Sequence, residues 1–171
     1  MEKTKKGFRK TMQNIGSDIK QNYKSMLLAF GGVFLVALLG SLLVDTTSAW
    51  FNSLIKPAFY PPNYLFSVMW TILYLMLAVA LYLVLIKNTN NKKVLQLFVI
   101  NGVLNVLWNL VFFRFHSAFF GVLVLVVLII FAYFLVKEVY EKNKVSFYLT
   151  VPYFLWLFFA FLLNYSIYFL N

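Results

Sequence analysis

The chain has 171 residues, of which 63% are hydrophobic, 20% aromatic and only 12% charged, with 15 Lys and Arg against 5 Asp and Glu and a formal net charge of +10. A water-soluble domain carries about twice that share of charge, and a disordered chain far less hydrophobicity, so both classes are excluded. One His and no Cys argue against a disulfide scaffold, an iron–sulfur cluster, a structural zinc site or a Cys/His triad, which leaves an integral membrane protein.

Residues 1–24 form a basic arm. Phe8, Met12, Ile15, Ile19 and Tyr23 recur every three or four positions among seven Lys and Arg, the pattern of an amphipathic helix on an anionic leaflet. Gly16 weakens that helix, and a partly disordered topology anchor is the alternative. From residue 25 to the terminus the sequence predicts a single membrane domain. Its apolar runs, each about 20 residues long as a helix needs to span a bilayer, are 25–44, 64–86, 94–113, 118–136 and 147–170. They are too long and too uniformly apolar for barrel strands. The first run begins late and lacks a small-x-small cleavage site, so it reads as a retained helix rather than a signal peptide.

The loop after the first run, from Trp50 to Pro62, is stiffened by Pro57, Pro61 and Pro62 and carries Trp50, Lys56 and several other aromatics. It is either a lid over one end of the bundle or an interfacial connector. In the second run Ser67, Trp70, Thr71, Tyr74 and Ala78 share one face, with Trp70 deeper than an interfacial residue should lie. In the third, Asn101, Asn105 and Asn109 fall four apart with Trp108 beside them. Such a row is either interhelical glue or a ligand-facing set. The fourth run offers only Gly121 and Tyr133 and reads as lipid-facing or subunit-facing. In the fifth, Tyr153, Trp156, Ala160 and Asn164 share a face, and Pro152 is expected near the helix start, where a missing N–H costs least. The three stripes form either an aromatic packing core or the wall of an apolar pocket for a flat ligand.

Thirteen of the fifteen basic residues lie in the arm or in the loops after the second and fourth runs, against Lys56 and Arg114 on the other side. The positive-inside rule then places the N-terminus in the cytoplasm and the C-terminus outside. No paired carboxylates, phosphate loop or nucleotide motif appear, His116 has no evident partner, and the basic charge serves orientation rather than nucleic acid.

These residues resemble the TspO/MBR family, the tryptophan-rich sensory proteins of bacteria and the mitochondrial translocator protein, also called the peripheral-type benzodiazepine receptor. The likeness rests on Trp50, Leu54, Lys56-Pro57, Pro61-Pro62, Phe66, Trp70, Leu73-Tyr74 and Ala78; on Leu104-Asn105, Trp108 and Phe112-Phe113; and on Pro152-Tyr153, Trp156, Phe159-Ala160 and Leu163-Asn164. It covers residues 50–171, matches the first run only loosely at Gly40-Ser41, and gives the arm no counterpart. The resemblance implies an all-α bundle of five transmembrane helices, usually a homodimer in contact with membrane lipids, in the bacterial cytoplasmic membrane. It also implies a pocket under the first loop for porphyrins, haem-like tetrapyrroles or similar flat hydrophobic ligands, with no obligatory cofactor and no metal. Trp70, Trp156, Asn101, Asn105 and Ala160 map onto the family's pocket positions. In some members two tryptophans, here Trp70 and Trp156, are implicated in light-dependent protoporphyrin degradation. Departures are Phe59 where a Trp is usual, Val124 in place of a fourth-helix acid, His116 where the mitochondrial form has Arg, and a C-terminus lacking the basic residue of the sterol-recognition pattern. The readings to be weighed are a tetrapyrrole receptor or stress sensor, a porphyrin photo-degrading enzyme, a small-molecule transporter, and a structural membrane protein without a ligand.

Overall fold

Lipid offers no hydrogen bonds, so each apolar run must satisfy its own backbone, and an α-helix does so within the segment. The computed structural model describes residues 22–87 and 91–171. Within them five helices are long and apolar enough to cross a membrane: α1 (Asn22–Leu43), α3 (Asn63–Leu85), α4 (Lys92–Arg114), α5 (Ala118–Lys142) and α6 (Lys144–Leu170). A short helix, α2 (Ala49–Ser53), lies in the first loop. The molecule is thus the all-α, five-span membrane bundle expected from the sequence. The amphipathic arm lies almost wholly outside the described residues.

Two boundaries differ from expectation. The fourth apolar run ends at residue 136, yet α5 continues through Lys137, Glu138 and Glu141 to Lys142. Charged residues are good helix formers, and hydropathy marks where lipid ends rather than where a helix ends. Asn143 alone separates α5 from α6. Its Oδ1 accepts from the N–H groups of Val145 and Ser146, capping α6, and its Nδ2 donates to the Leu83 carbonyl of α3. Since α6 starts at Lys144, Pro152 lies inside the helix rather than near its start. It cannot donate to the Tyr148 carbonyl one turn earlier.

The core forms where α6 runs along α3 and α5, and where α4 packs on α5. Leu73, Leu77, Ala80 and Val84 of α3 meet Leu125, Leu128, Ala132 and Leu135 of α5 and Tyr153 and Leu157 of α6, all buried. In lipid this association rests on close packing rather than on escape from water. Small residues permit it: a Cβ on Gly121 would meet the Asn164 Oδ1 at 2.6 Å, and one on Gly102 would meet a Val36 methyl at 2.8 Å. At one end, Lys93 of α4 pairs with Glu138 of α5. At the other, the Arg114 guanidinium donates to the Leu42 carbonyl at 2.8 Å, tying α4 to α1. The first loop closes over that second end.

Candidate functional site

The first loop is pinned at several points. Asp45 accepts from the Thr47 hydroxyl at 2.9 Å and its N–H at 3.0 Å, and these bonds hold its carboxyl below the usual range. Ser48 caps α2 by accepting from the Phe51 N–H. Phe51 is buried against Phe113, and the Lys56 ammonium stands over its outer face, 4.1 Å from the ring centre. Trp50 stacks on His116 at 4.8 Å and meets Phe112 edge-on. His116 reaches that stack with a left-handed backbone, φ 53°, unusual for a residue other than Gly. Asn171 clamps the far side: its Oδ1 accepts from the Ile55 N–H at 2.9 Å and its Nδ2 donates to the Ile55 carbonyl at 3.1 Å.

Beneath this loop lies an outer cavity of about 640 Å³, within the range of small-molecule sites. α1, α3, α4 and α6 wall it, and Thr46, Phe51 and Tyr60 of the loop roof it. Burial pushes the Tyr60 phenol up to about 12. Trp70 and Tyr74 of α3, Trp108 of α4, and Ala160 and Asn164 of α6 all face the cavity. The Trp108 indole donates to the Asn164 Oδ1 at 2.8 Å, and the Asn164 Nδ2 donates to the Ala118 carbonyl at 2.9 Å. One amide thereby joins α4, α5 and α6 and fixes the Trp108 ring as a wall of the cavity, where it stacks with Phe112 at 5.5 Å. Ala160 leaves room that a larger side chain would fill.

Asn101, Asn105 and Tyr153 sit elsewhere. With Tyr74 they line a second, inner cavity of about 390 Å³ between α1 and the rest of the bundle. The Tyr153 hydroxyl donates to the Asn101 Oδ1 at 3.2 Å and accepts from the Asn105 Nδ2 at 2.7 Å. All three amides of the row also donate back one turn, Asn101 to Leu97, Asn105 to Asn101 and Asn109 to Asn105. Asn109 alone of the row reaches the outer cavity. Trp50 and Trp156 line neither cavity. Trp156 meets Phe66, a lining residue, edge-on at 6.1 Å, and its buried indole N–H has no hydrogen-bond partner among the described residues. Lys56, Pro57, Pro61 and Pro62 shape the roof without lining the cavity.

Sequence reasoning gave no role to Phe51 or to α1, which supplies Phe34, Leu38, Gly40 and Ser41 to the outer wall. The sole sequence signal in α1 was Gly40-Ser41. A Cβ on Gly40 would stand 3.2 Å from the Asn109 amide, so Gly there lets α1 approach α4.

The model of the TspO/MBR family matches residues 27–170. A tryptophan-rich protein TspO of Archaeoglobus fulgidus is 31% identical over 147 residues, 85% of this chain and 91% of the relative. One of Chlorobaculum tepidum is 35% identical over 152 residues, 86% of this chain and 96% of the relative. Protein CrtK of Rhodobacter capsulatus is 34% identical over 131 residues, 75% of this chain and 82% of its own length.

Proposed function

The chain belongs to the TspO/MBR family, whose members are associated with tetrapyrrole handling, and from that premise we propose that it is a membrane receptor of sensor type for porphyrins and similar flat hydrophobic ligands. The observation that carries this reading is the outer cavity itself. It is apolar and aromatic, bounded by Trp70, Trp108 and Phe112, and it keeps a few polar groups, Asn109, Asn164, Ser67 and Thr71, at its edge. Flat faces suit the offset stacking that aromatic rings prefer, and sparse polar groups orient a ligand without demanding a charge. The pinned roof supports slow exchange with the water outside. Family membership also supports a homodimer and a bacterial cytoplasmic membrane. The lysine distribution supports an N-terminus in the cytoplasm and a roofed cavity at the outer face.

Titration of the nanodisc-embedded protein with protoporphyrin IX, read by quenching of tryptophan fluorescence, tests the reading. Saturable quenching at one porphyrin per chain is expected, together with its loss in Ala160→Phe, which fills the cavity. Quenching that rises without saturation, or that Ala160→Phe leaves unchanged, would remove the cavity as the binding site.

A further inference from the structure

Tyr74 is the only described residue that lines both cavities. Its ring lies 5.3 Å from Trp70 on the outer side, and among the described residues its hydroxyl makes no hydrogen bond to protein. Beyond it the inner cavity differs in character from the outer one. Apart from Asn101, Asn105 and the two tyrosines, its walls are aliphatic side chains, Phe98 and two glycines. The inner cavity also reaches the lipid-facing surface, because Leu35, Leu39, Val99 and Val103, all exposed, line it. Gly32 lines it from α1 and is exposed, and a Cβ there would meet nothing within 4 Å, so a larger side chain can be carried at the wall.

Building on the tetrapyrrole reading, we propose that the two cavities form one bipartite site for a ligand with a flat ring system and a slender apolar tail. The ring occupies the outer cavity. The tail passes Tyr74 and runs through the inner cavity between α1 and α4 towards the bilayer. Tyr74 is then the specificity-determining residue: its ring is the shared wall that a tail must displace, and its free hydroxyl stands where an ester or other polar junction between ring and tail would lie. α1 is the element suited to yield, since it is the least buried of the five spans. A tail already dissolved in lipid gains little by entering an apolar groove, so the inner cavity contributes admission rather than affinity.

Pheophorbide a and pheophytin a share one macrocycle and differ by a phytyl ester, which makes them the probes. Both are titrated against the full chain in nanodiscs, with wild type and variants compared so that partition into lipid cancels. In the wild type the two are expected to bind within about threefold of each other, a free-energy gap below about 0.7 kcal/mol. Gly32→Leu fills the inner cavity while favouring the helix. It is expected to weaken pheophytin at least about tenfold, roughly 1.4 kcal/mol, and to leave pheophorbide unchanged. Val103→Phe, at an exposed position on the opposite wall, should act in the same direction. Tyr74→Ala lowers the partition, so it should shift the ratio of the two affinities towards pheophytin even where it weakens both. Wild-type pheophytin that fails to bind while pheophorbide binds would overturn the bipartite site and leave the outer-cavity reading standing. So would variants that affect the two ligands equally. Failure of both macrocycles to bind would overturn the tetrapyrrole reading and this inference with it.

Discussion

Tyr153→Phe separates structural from ligand roles for the asparagine row. The hydroxyl is fully buried and bridges Asn101 and Asn105, so its loss removes two hydrogen bonds between α6 and α4. The Asn105 Nδ2 keeps its bond to the Asn101 carbonyl at 3.0 Å, whereas the Asn101 Oδ1 loses the one donor described for it. Hydrogen bonds between membrane helices average about 0.6 kcal/mol and reach about 1.7. A stranded buried acceptor costs about 1–3 kcal/mol. Together these place the loss at about 1–2 kcal/mol, since the inner cavity borders this cluster and lets it relax. Equilibrium unfolding in mixed micelles, completed as a cycle with Asn101→Leu, should give that loss and a coupling between the two sites. Protoporphyrin affinity should fall less than about threefold, because none of these three groups faces the outer cavity. Stability within about 0.5 kcal/mol of wild type alongside a tenfold or greater loss of affinity would refute the reasoning and make the row a ligand contact.

Other expectations follow from single contacts. Gly121→Ala places a methyl 2.6 Å from the Asn164 Oδ1, displaces the amide that receives the Trp108 indole, and should cost about 1–3 kcal/mol with a changed Trp108 emission. Asn171→Ala releases the clamp on Ile55. Two exposed hydrogen bonds support an acceleration of porphyrin dissociation of about three- to tenfold with little change in thermal stability, measured by stopped-flow fluorescence. Trp50→Ala removes the stack on His116 and should speed dissociation in the same assay, whereas Trp50→Phe should largely preserve it. Under illumination, bound protoporphyrin should bleach no faster than free protoporphyrin. Accelerated bleaching that Trp70→Phe slows would instead assign photochemistry to the site.

The five spans were legible because lipid imposes one rule on every residue they contain, and an uninterrupted apolar run satisfies it in only one way. The helix faces bearing Trp70, Tyr74, Trp108, Ala160 and Asn164 were legible from spacing. What spacing could not resolve was depth. Asn101, Asn105 and Asn109 share one face, yet only the last reaches the outer cavity, because a row four residues apart climbs about 6 Å per step. Trp156 lies one helical turn from Ala160 on the same face of α6, yet it does not line the outer cavity and meets the lining residue Phe66 edge-on. The role of α1 escaped for the opposite reason: its apolar residues carry no contrast, and only Gly40 marks the side that packs. An apolar run shows where lipid ends, not where a helix ends, and both the last turns of α5 and the first turn of α6 lie beyond the apolar runs. His116 looked partnerless because its stacking partner, Trp50, lies in a loop distant in sequence.

A structure of the protein bound to protoporphyrin IX tests the central claim most directly. The account predicts the macrocycle beneath the Thr46–Tyr60 roof, with its faces against Trp70 and Trp108 and its edge near Asn109 and Asn164. A macrocycle on the lipid-facing surface, or in the inner cavity with the outer one empty, would contradict it.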